Sequence, residues 1–217
     1  MNLMKNYLSW IITILVFFIV LIILIIVKID DTFDDLEKDS SIKQITSSID
    51  KDEDGIDDQT DILENTKKYT STKPHYKSKY YETGYPNDQY GVCTDVVAFG
   101  LKGAGYDLMN LVNEDIINHR EEYDIETVDK NIDFRRVKNL KVFFKNNSIS
   151  KTLDLKKVDE WQGGDIVIFE KHIGIVSDRR NKSGIPYVIH HANPYQRKYE
   201  QDILKKYKIV GHYRMSE

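Results

Sequence analysis

The chain opens with an uncharged apolar run that limits what its first thirty residues can form. From Leu8 to Val27 the sequence reads LSWIITILVFFIVLIILIIV without a charged side chain. A helix of about 20 apolar residues matches the roughly 30 Å hydrocarbon core of a bilayer. A cleaved signal peptide would have a shorter apolar region followed by small residues, whereas this run ends in Ile-Ile-Val-Lys. The run therefore predicts one uncleaved transmembrane helix over residues 8–27.

Charge divides the rest of the chain into an acidic segment and a mildly basic domain. Residues 30–64 hold 14 Asp and Glu against three Lys, whereas residues 65–217 hold 26 Lys and Arg against 21 Asp and Glu. We interpret residues 28–60 as an acidic tether. Residues 61–217 are then one domain, long enough to bury a core of its own.

The acidic tether contains the spacing of a calcium-binding loop. Residues 50–61 read DKDEDGIDDQTD, with a glycine at the sixth position. Such a loop wraps one Ca²⁺ in oxygen ligands, and the glycine permits the sharp turn in its middle. The predicted ligands are Asp50, Asp52, Asp54, Ile56 through its carbonyl, Asp58 and Asp61. The last position usually holds a bidentate glutamate, so an aspartate there predicts weaker binding, and a plain acidic linker is the alternative.

Hydrophobic periodicity changes from helical to strand-like along the domain. Apolar residues recur at helical spacing up to about residue 146, apart from a long loop at 70–90, and short apolar runs bounded by turns follow from residue 162. The predicted helices are residues 61–69, 94–102, 107–119 and 133–146, and the predicted strands are 166–169, 172–177, 187–191 and 209–214. Helices followed by an antiparallel sheet define an α+β fold.

The one cysteine of the chain lies at the predicted start of a helix. The unpaired N–H groups and the positive end of the helix macrodipole lower the pKa of a thiol such as Cys93 in that position. One cysteine can form neither an intrachain disulfide nor a thiolate zinc cage. A lone cysteine can also be a small buried hydrophobe. His172 and His190, on strands predicted downstream, favour a catalytic role instead.

Several short motifs, in order along the domain, resemble one bacterial family. They are Tyr85-Pro86, Gly91 to Val96 (GVCTDV), Asn131 to Leu140 (NIDFRRVKNL), Gly164 to Val167 (GDIV), His172 to Asp178 (HIGIVSD), Ile189 to Pro194 (IHHANP) and Ile209 to Arg214 (IVGHYR). Together they resemble the DUF1287 family, a branch of the NlpC/P60 papain-like superfamily, over residues 61–217. The resemblance implies an NlpC/P60-like domain in which N-terminal helices pack on an antiparallel sheet. By analogy with the superfamily, it implies cysteine peptidase or amidase chemistry.

The resemblance also implies a catalytic triad. Cys93 would be the nucleophile, His172 the base, and His190 the polar residue that orients the base. A thiolate–imidazolium pair would keep the nucleophile ionised near neutral pH, without a cofactor for catalysis. His191 is the alternative third residue, because adjacent strand residues face opposite sides and a one-residue slip exchanges them.

Three further polar residues are candidates for binding a substrate. Arg135 and Arg136 lie in the polar NIDFRR motif, and a guanidinium can hold a carboxylate through two hydrogen bonds. An internal ion-pair network is the alternative for this cluster. Asp95, two residues after the cysteine, could contact a substrate or cap the start of its helix.

We therefore expect a membrane-anchored, extracytoplasmic cysteine amidohydrolase or peptidase that cleaves peptide amide bonds of bacterial cell-wall peptidoglycan. Residues 1–7 would be cytoplasmic. Positive charge is nearly equal on the two sides of the apolar run, with Lys5 before it and Lys28 after it, so this charge does not set the orientation. The extracellular position of the C-terminal domain therefore rests on the family resemblance. The expected partners are peptidoglycan and the membrane, with no nucleic acid, and the sequence gives no indication of oligomeric state.

Two other classes of function fit parts of the sequence. One is a non-catalytic binding domain on the cell surface, stiffened by calcium. The other is a metalloenzyme that uses His172, His190, His191 and an aspartate. Adjacent histidines are a poor pair for a zinc site, which usually takes its histidines at a spacing such as i, i+4 on one element.

Overall fold

The computed structural model describes residues 2–35 and 42–217, with side chains from residue 10 to residue 26 in the first of these ranges. The two ranges belong to two compact units. In the first unit, helix α1 comprises Asn2–Asp35, and its apolar side chains between Trp10 and Ile26 are exposed. Within the part of the chain that the structure describes, no helix is both long enough and apolar enough to cross a membrane. The side chains of residues 1–7 and those at both ends of the predicted span lie outside the described residues.

Five helices precede the main sheet in the second unit. They are α2 (Asp58–Ser71), α3 (Cys93–Gly103), α4 (Leu108–Asn118), α5 (Lys130–Asp133) and α6 (Val137–Asn147). Asp57 and Asp107 begin α2 and α4, since each side chain accepts a hydrogen bond from a backbone N–H in the first turn. The helix predicted over residues 133–146 is divided, because Arg136 takes an extended conformation between α5 and α6.

A six-stranded antiparallel sheet follows the helices, in the order β3-β8-β4-β5-β6-β7. Its strands are β3 (Ile149–Ser150), β4 (Ile166–Phe169), β5 (Ile173–Arg180), β6 (Pro186–Ile189), β7 (Glu200–Gln201) and β8 (Ile209–Arg214). The four longer strands confirm the predicted ones in number and order, but β5 begins at Ile173 and β6 ends at Ile189, so His172, His190 and His191 lie just outside the strands predicted to hold them. The two edge strands were not predicted, since two residues are too short to show a period. A small parallel pair, β1 (His75–Tyr76) with β2 (Tyr90–Gly91), lies within the predicted loop and just after it.

Both faces of the central strands are covered. Ile166 and Ile168 of β4 pack in the larger apolar core with the helices, whereas Val167 and Phe169 pack on the opposite face around Trp161. A strand that is buried on both sides is apolar at every position, which explains the continuous Ile-Val-Ile-Phe run. The helices therefore lie against one face of the sheet.

The described part of the acidic segment is packed on the domain, which differs from a free tether ending at residue 60. Gln44 Nε2 donates to the Gly163 carbonyl at 2.7 Å, and Ser47 Oγ donates to Ser216 Oγ at 2.8 Å. The polar groups of this segment thus find partners in the turn before β4 and near the C-terminus. The second compact unit accordingly begins well before residue 61.

Candidate active site

Cys93 is the first residue of α3, as the sequence predicts, and its side chain is half-buried. The turn that precedes it is held by Asp95, whose Oδ2 accepts the Val92 N–H at 2.8 Å. Gly91 is required here because a Cβ at that position would lie 2.2 Å from the Tyr69 hydroxyl. The thiol therefore lies at a helix N-terminus whose backbone is fixed on both sides.

The two histidines of the predicted triad, His172 and His190, meet beside the strand pair β5 and β6. Ile175 pairs with Ile189, and one further step in that register places His190 opposite Gly174. The Nδ1 atom of His190 lies 3.0 Å from Nε2 of His172, and the two ring planes are nearly perpendicular. A Cβ on Gly174 would lie 2.8 Å from the Ile189 carbonyl oxygen and 3.2 Å from the His190 Cβ. Gly174 thus leaves the space that the His190 imidazole needs to reach the His172 imidazole.

Gln201, on the short strand β7, extends this contact into a chain of three side chains. Its Oε1 lies 3.1 Å from Nε2 of His190. Because an amide oxygen only accepts, Nε2 of His190 carries a proton, and Nδ1 of the neutral ring is then an acceptor. His172 must donate to that acceptor through Nε2. Its own Nδ1 consequently carries the free lone pair, which is the form that a general base requires.

Cys93 lies close to the residue that follows His172. The backbone N–H of Ile173 acts to lower the pKa of the Cys93 thiol, and Cys93 packs against the core cluster that contains Ile173. No hydrogen bond joins that sulfur to an imidazole among the residues described. Catalytic hydrogen bonds are often longer without substrate and tighten when it binds.

The electrostatics of the site differ from the thiolate–imidazolium pair that we expected. Burial raises the pKa of the Cys93 thiol to about 11, assisted by the nearby Asp95 and opposed by the Ile173 N–H. Burial also lowers the pKa of His172 to about 4 and that of His190 to about 3. Desolvation penalises every charged form, and here it exceeds the effect of the helix N-terminus. At neutral pH these shifts favour a neutral thiol at Cys93 and neutral imidazoles at His172 and His190.

His191 occupies a different environment from His190. Its ring packs edge-on against Tyr76 and Tyr199, and its buried Nδ1 has no hydrogen-bond partner among the described residues. Burial lowers the pKa of His191 to about 4, with a further contribution from His75. Of the two candidate third residues, His190 is the one whose ring contacts the base; its catalytic role stays a prediction.

The candidate substrate-binding residues are mostly engaged within the protein. Arg135 forms a buried ion pair with Asp95, with Nε 2.6 Å from Oδ1 and Nη2 2.9 Å from Oδ2. This is the internal network that the sequence left as an alternative, and it also orders the helix start at Cys93. Arg136 is half-exposed, 3.9 Å from Asp133, and borders a separate surface depression beside Lys138.

A cleft of about 380 Å³ borders the histidine pair. Phe169, Tyr207 and Ala192 provide its apolar wall, and the charged residues Glu170, Lys171 and Lys208 surround them. Cys93 is not among the lining residues. The cleft therefore opens beside the histidine pair and not at the cysteine.

Metal-ligating side chains converge at one place in the described residues. Oxygen atoms of Asp50, Asp52 and Asp54 lie within 4.8 Å of one another. The histidines of the site form no comparable group among the residues that the structure describes.

Comparison with known proteins identifies the family. The domain of unknown function DUF1287 matches residues 63–215, which is more than half of the chain. The chain belongs to the DUF1287 family. The uncharacterized protein YijF of Escherichia coli strain K12 is 36% identical over 150 residues, which cover 65% of this chain and 72% of that relative. No solved structure gives a significant match.

The DUF1287 match includes Cys93, His172, His190 and Gln201, but it begins after the acidic loop at residues 50–61. Sequence reasoning missed Gln201, because a lone glutamine on a two-residue strand carries no motif. The one feature of the sequence that could have indicated Gln201 is its position near the end of the domain, where a further strand can pair with β6.

Proposed function

We propose that this chain is a cysteine amidohydrolase or peptidase of the NlpC/P60 type that cleaves peptide amide bonds of bacterial cell-wall peptidoglycan. The observation that carries the proposal is the hydrogen-bonded His172–His190–Gln201 chain, together with a cysteine at a helix N-terminus that lies close to the N–H of Ile173, the residue after His172. A purely structural cysteine would not require such a chain.

The neutral site supports a mechanism of general-base attack. Nδ1 of His172 accepts the Cys93 proton as the sulfur bonds to the carbonyl carbon of the amide. The first N–H groups of α3 face the developing oxyanion, which a helix N-terminus stabilises. The C–N bond then breaks, and the His172 imidazolium gives its proton to the leaving nitrogen. A water molecule, deprotonated by His172, finally hydrolyses the thioester to a carboxylic acid and restores the thiol.

Charge and aromatic surface near the site support a peptide substrate from the cell wall. The cleft beside His172 carries Lys171 next to Tyr207, whereas its other lysine, Lys208, is paired with Glu170 at 2.8 Å. Lys77 lies over the Tyr90 ring in the segment after α2, as does Lys79, which is also paired with Asp88. Such surfaces suit the carboxylates of wall peptides, and residues 65–217 have an excess of basic side chains.

We also propose that the domain acts outside the cytoplasm, attached to the cell membrane. The support is the uncharged sequence from Leu8 to Val27. Carbonate washing of membranes from expressing cells tests this: an anchored chain stays in the pellet, whereas release into the supernatant contradicts the anchor.

The decisive experiment digests purified peptidoglycan with the full-length chain in mild detergent and identifies the new amine and carboxyl ends by mass spectrometry. Cys93→Ala should release no new ends while retaining its circular dichroism spectrum. His119→Ala, which changes an exposed histidine bonded to Asp115, should leave the products unchanged. Digestion by Cys93→Ala at the wild-type rate would refute the mechanism. Binding to peptidoglycan without any cleavage by the wild type would favour the alternative, a non-catalytic cell-surface binding domain.

A further inference from the structure

The acidic loop ahead of α2 has the backbone of a cation-binding loop. The side-chain oxygens of Asp50, Asp52 and Asp54 converge within 4.8 Å. Gly55 has a φ of +96°, and a Cβ there would meet nothing within 4 Å. The glycine is thus required by the left-handed backbone conformation and not by lack of space. The geometry brings three carboxylates together without a basic side chain hydrogen-bonded to any of them among the described residues.

Asp61 supplies a second and independent observation. Its side chain is only 4% exposed, and Oδ1 accepts a hydrogen bond from Asn65 Nδ2 at 2.5 Å. Oδ2 is buried without a hydrogen-bond partner among the described residues. The charges of Asp54 and Asp52 act on this carboxylate, so Asp61 lies within electrostatic reach of the acidic loop. A buried, unpaired carboxylate oxygen beside other carboxylates is unfavourable unless a cation satisfies it.

We propose that residues 50–61 bind one Ca²⁺ through Asp50, Asp52, Asp54, the Ile56 carbonyl and Asp61. Flexible coordination by six to eight oxygens suits Ca²⁺, whereas Mg²⁺ requires a compact octahedron and keeps most of its water. The aspartate at the end of the loop gives an affinity in the range of extracellular calcium modules, with a Kd of roughly 10⁻⁴–10⁻³ M.

The structure changes one ligand of the predicted set. Asp58 is buried, and its Oδ1 accepts the Lys51 N–H at 2.8 Å. Its Oδ2 accepts the hydroxyl of Tyr106. Asp50 also accepts two hydrogen bonds, from the N–H groups of Asp54 and Gly55, but its oxygens converge with those of Asp52 and Asp54, whereas those of Asp58 do not. A water molecule would therefore fill the ninth loop position, as it often does in loops of this kind.

Calcium bound at residues 50–61 would stabilise the folded domain and not only the loop itself. Asp61 lies in the first turn of α2, and Asp52 packs against Gly105 just after α3, where an added Cβ would lie 3.2 Å from the Asp52 Cβ. One ion would thus join the loop to two helices of the second unit. A ligand that binds only the folded state raises the unfolding temperature by mass action.

The test titrates Ca²⁺ into the full-length chain in mild detergent, by calorimetry and by thermal unfolding. The wild type should bind one Ca²⁺ per chain and should unfold at a higher temperature in about 5 mM calcium, roughly five times the upper Kd. Asp61→Asn should weaken binding by roughly tenfold or more, since it removes an anionic ligand. It should also raise the unfolding temperature without calcium, because it removes a buried carboxylate that faces two others.

Glu53→Gln is the matched control, since Glu53 is an exposed acid of the same loop outside the ligand positions and the change also removes one negative charge. Its calcium affinity should stay within about twofold of the wild type. Absence of heat and of any unfolding shift at 10 mM Ca²⁺ (about tenfold above the upper Kd) would overturn the proposal. Equal loss of affinity in Glu53→Gln and Asp61→Asn would also overturn it, because it would mean diffuse charge attraction. None of these results depends on the proposed hydrolase activity.

Discussion

Nδ1 of His190 lies 3.0 Å from Nε2 of His172, with the two imidazole planes almost perpendicular. The contact requires the register of β5 and β6 that places His190 opposite Gly174. It also leaves the free lone pair of His172 on Nδ1, because Nε2 donates to His190. A hydrogen-bonded partner that fixes the tautomer of a base has a large effect on turnover, because the wrong tautomer cannot accept the proton.

Replacing His190 by alanine should lower kcat by about 10²-fold or more, since the base loses the partner that orients it. His191→Ala is the matched control: the same substitution at the adjacent residue removes packing against Tyr76 and Tyr199 but leaves the His172 contact. Turnover of peptidoglycan fragments and alkylation of Cys93 should be measured for both. The assignment of His190 fails if His191→Ala loses more activity than His190→Ala.

Gln201 should act as a positioning residue for His190. Gln201→Leu removes the acceptor and should lower kcat by roughly tenfold, whereas Gln201→Glu keeps an acceptor and should retain activity. The carboxylate of Gln201→Glu would also favour the charged imidazole, so the acid limb of the pH–kcat profile should move to higher pH. Identical profiles for the wild type and Gln201→Glu would indicate a packing role only.

Gly174→Ala should impair both stability and activity. The added Cβ would lie 2.8 Å from the Ile189 carbonyl oxygen and 3.2 Å from the His190 Cβ, so β6 must move and carry the imidazole with it. We expect a loss of about 1–3 kcal/mol in the free energy of unfolding. Gly184→Ala is the control: Gly184 has a φ of +74° in a turn, and its Cβ would have ordinary contacts. That variant should lose stability through backbone strain while its kcat below the unfolding temperature stays unchanged.

The pH dependence of Cys93 alkylation should distinguish a neutral thiol from an ion pair. With the pKa of Cys93 raised to about 11, the thiolate is a small fraction at pH 7 and grows about tenfold per pH unit below that pKa. The iodoacetamide rate should therefore still rise between pH 7 and pH 10. Hydrolysis should be lost as the pH falls through about 4, where His172 becomes protonated and cannot accept the thiol proton. An alkylation rate already constant above pH 6 would instead establish a thiolate–imidazolium pair.

Arg135 should matter for stability and Arg136 should not. Arg135→Ala leaves the buried Asp95 carboxylate without its bidentate partner, and breaking such a pair costs about 3–5 kcal/mol. Arg136→Ala removes a half-exposed side chain 3.9 Å from its acid and should change stability by less than about 0.5 kcal/mol. Urea unfolding compares the two variants. A normal unfolding curve for Arg135→Ala together with a raised KM would show that Arg135 binds substrate instead.

The sequence by itself determined the α+β order, the four central strands and the position of Cys93 at a helix start. Each rests on a local signal: apolar periodicity, turn residues, or a motif of adjacent residues. Local patterns also predicted oxygen ligands at alternate positions of the loop that begins at Asp50. They favoured a catalytic role for Cys93 together with His172 and His190.

Only the tertiary structure decided which side chains meet. In the fold, Arg135 pairs with Asp95, and both carboxylate oxygens of Asp58 accept hydrogen bonds from within the domain. Gln201, on a strand too short to show a sequence pattern, contacts His190. The tertiary structure also reversed the expected direction of the Cys93 pKa. A helix N-terminus is visible in the sequence, whereas desolvation depends on everything packed around the sulfur, and that packing exists only in the fold.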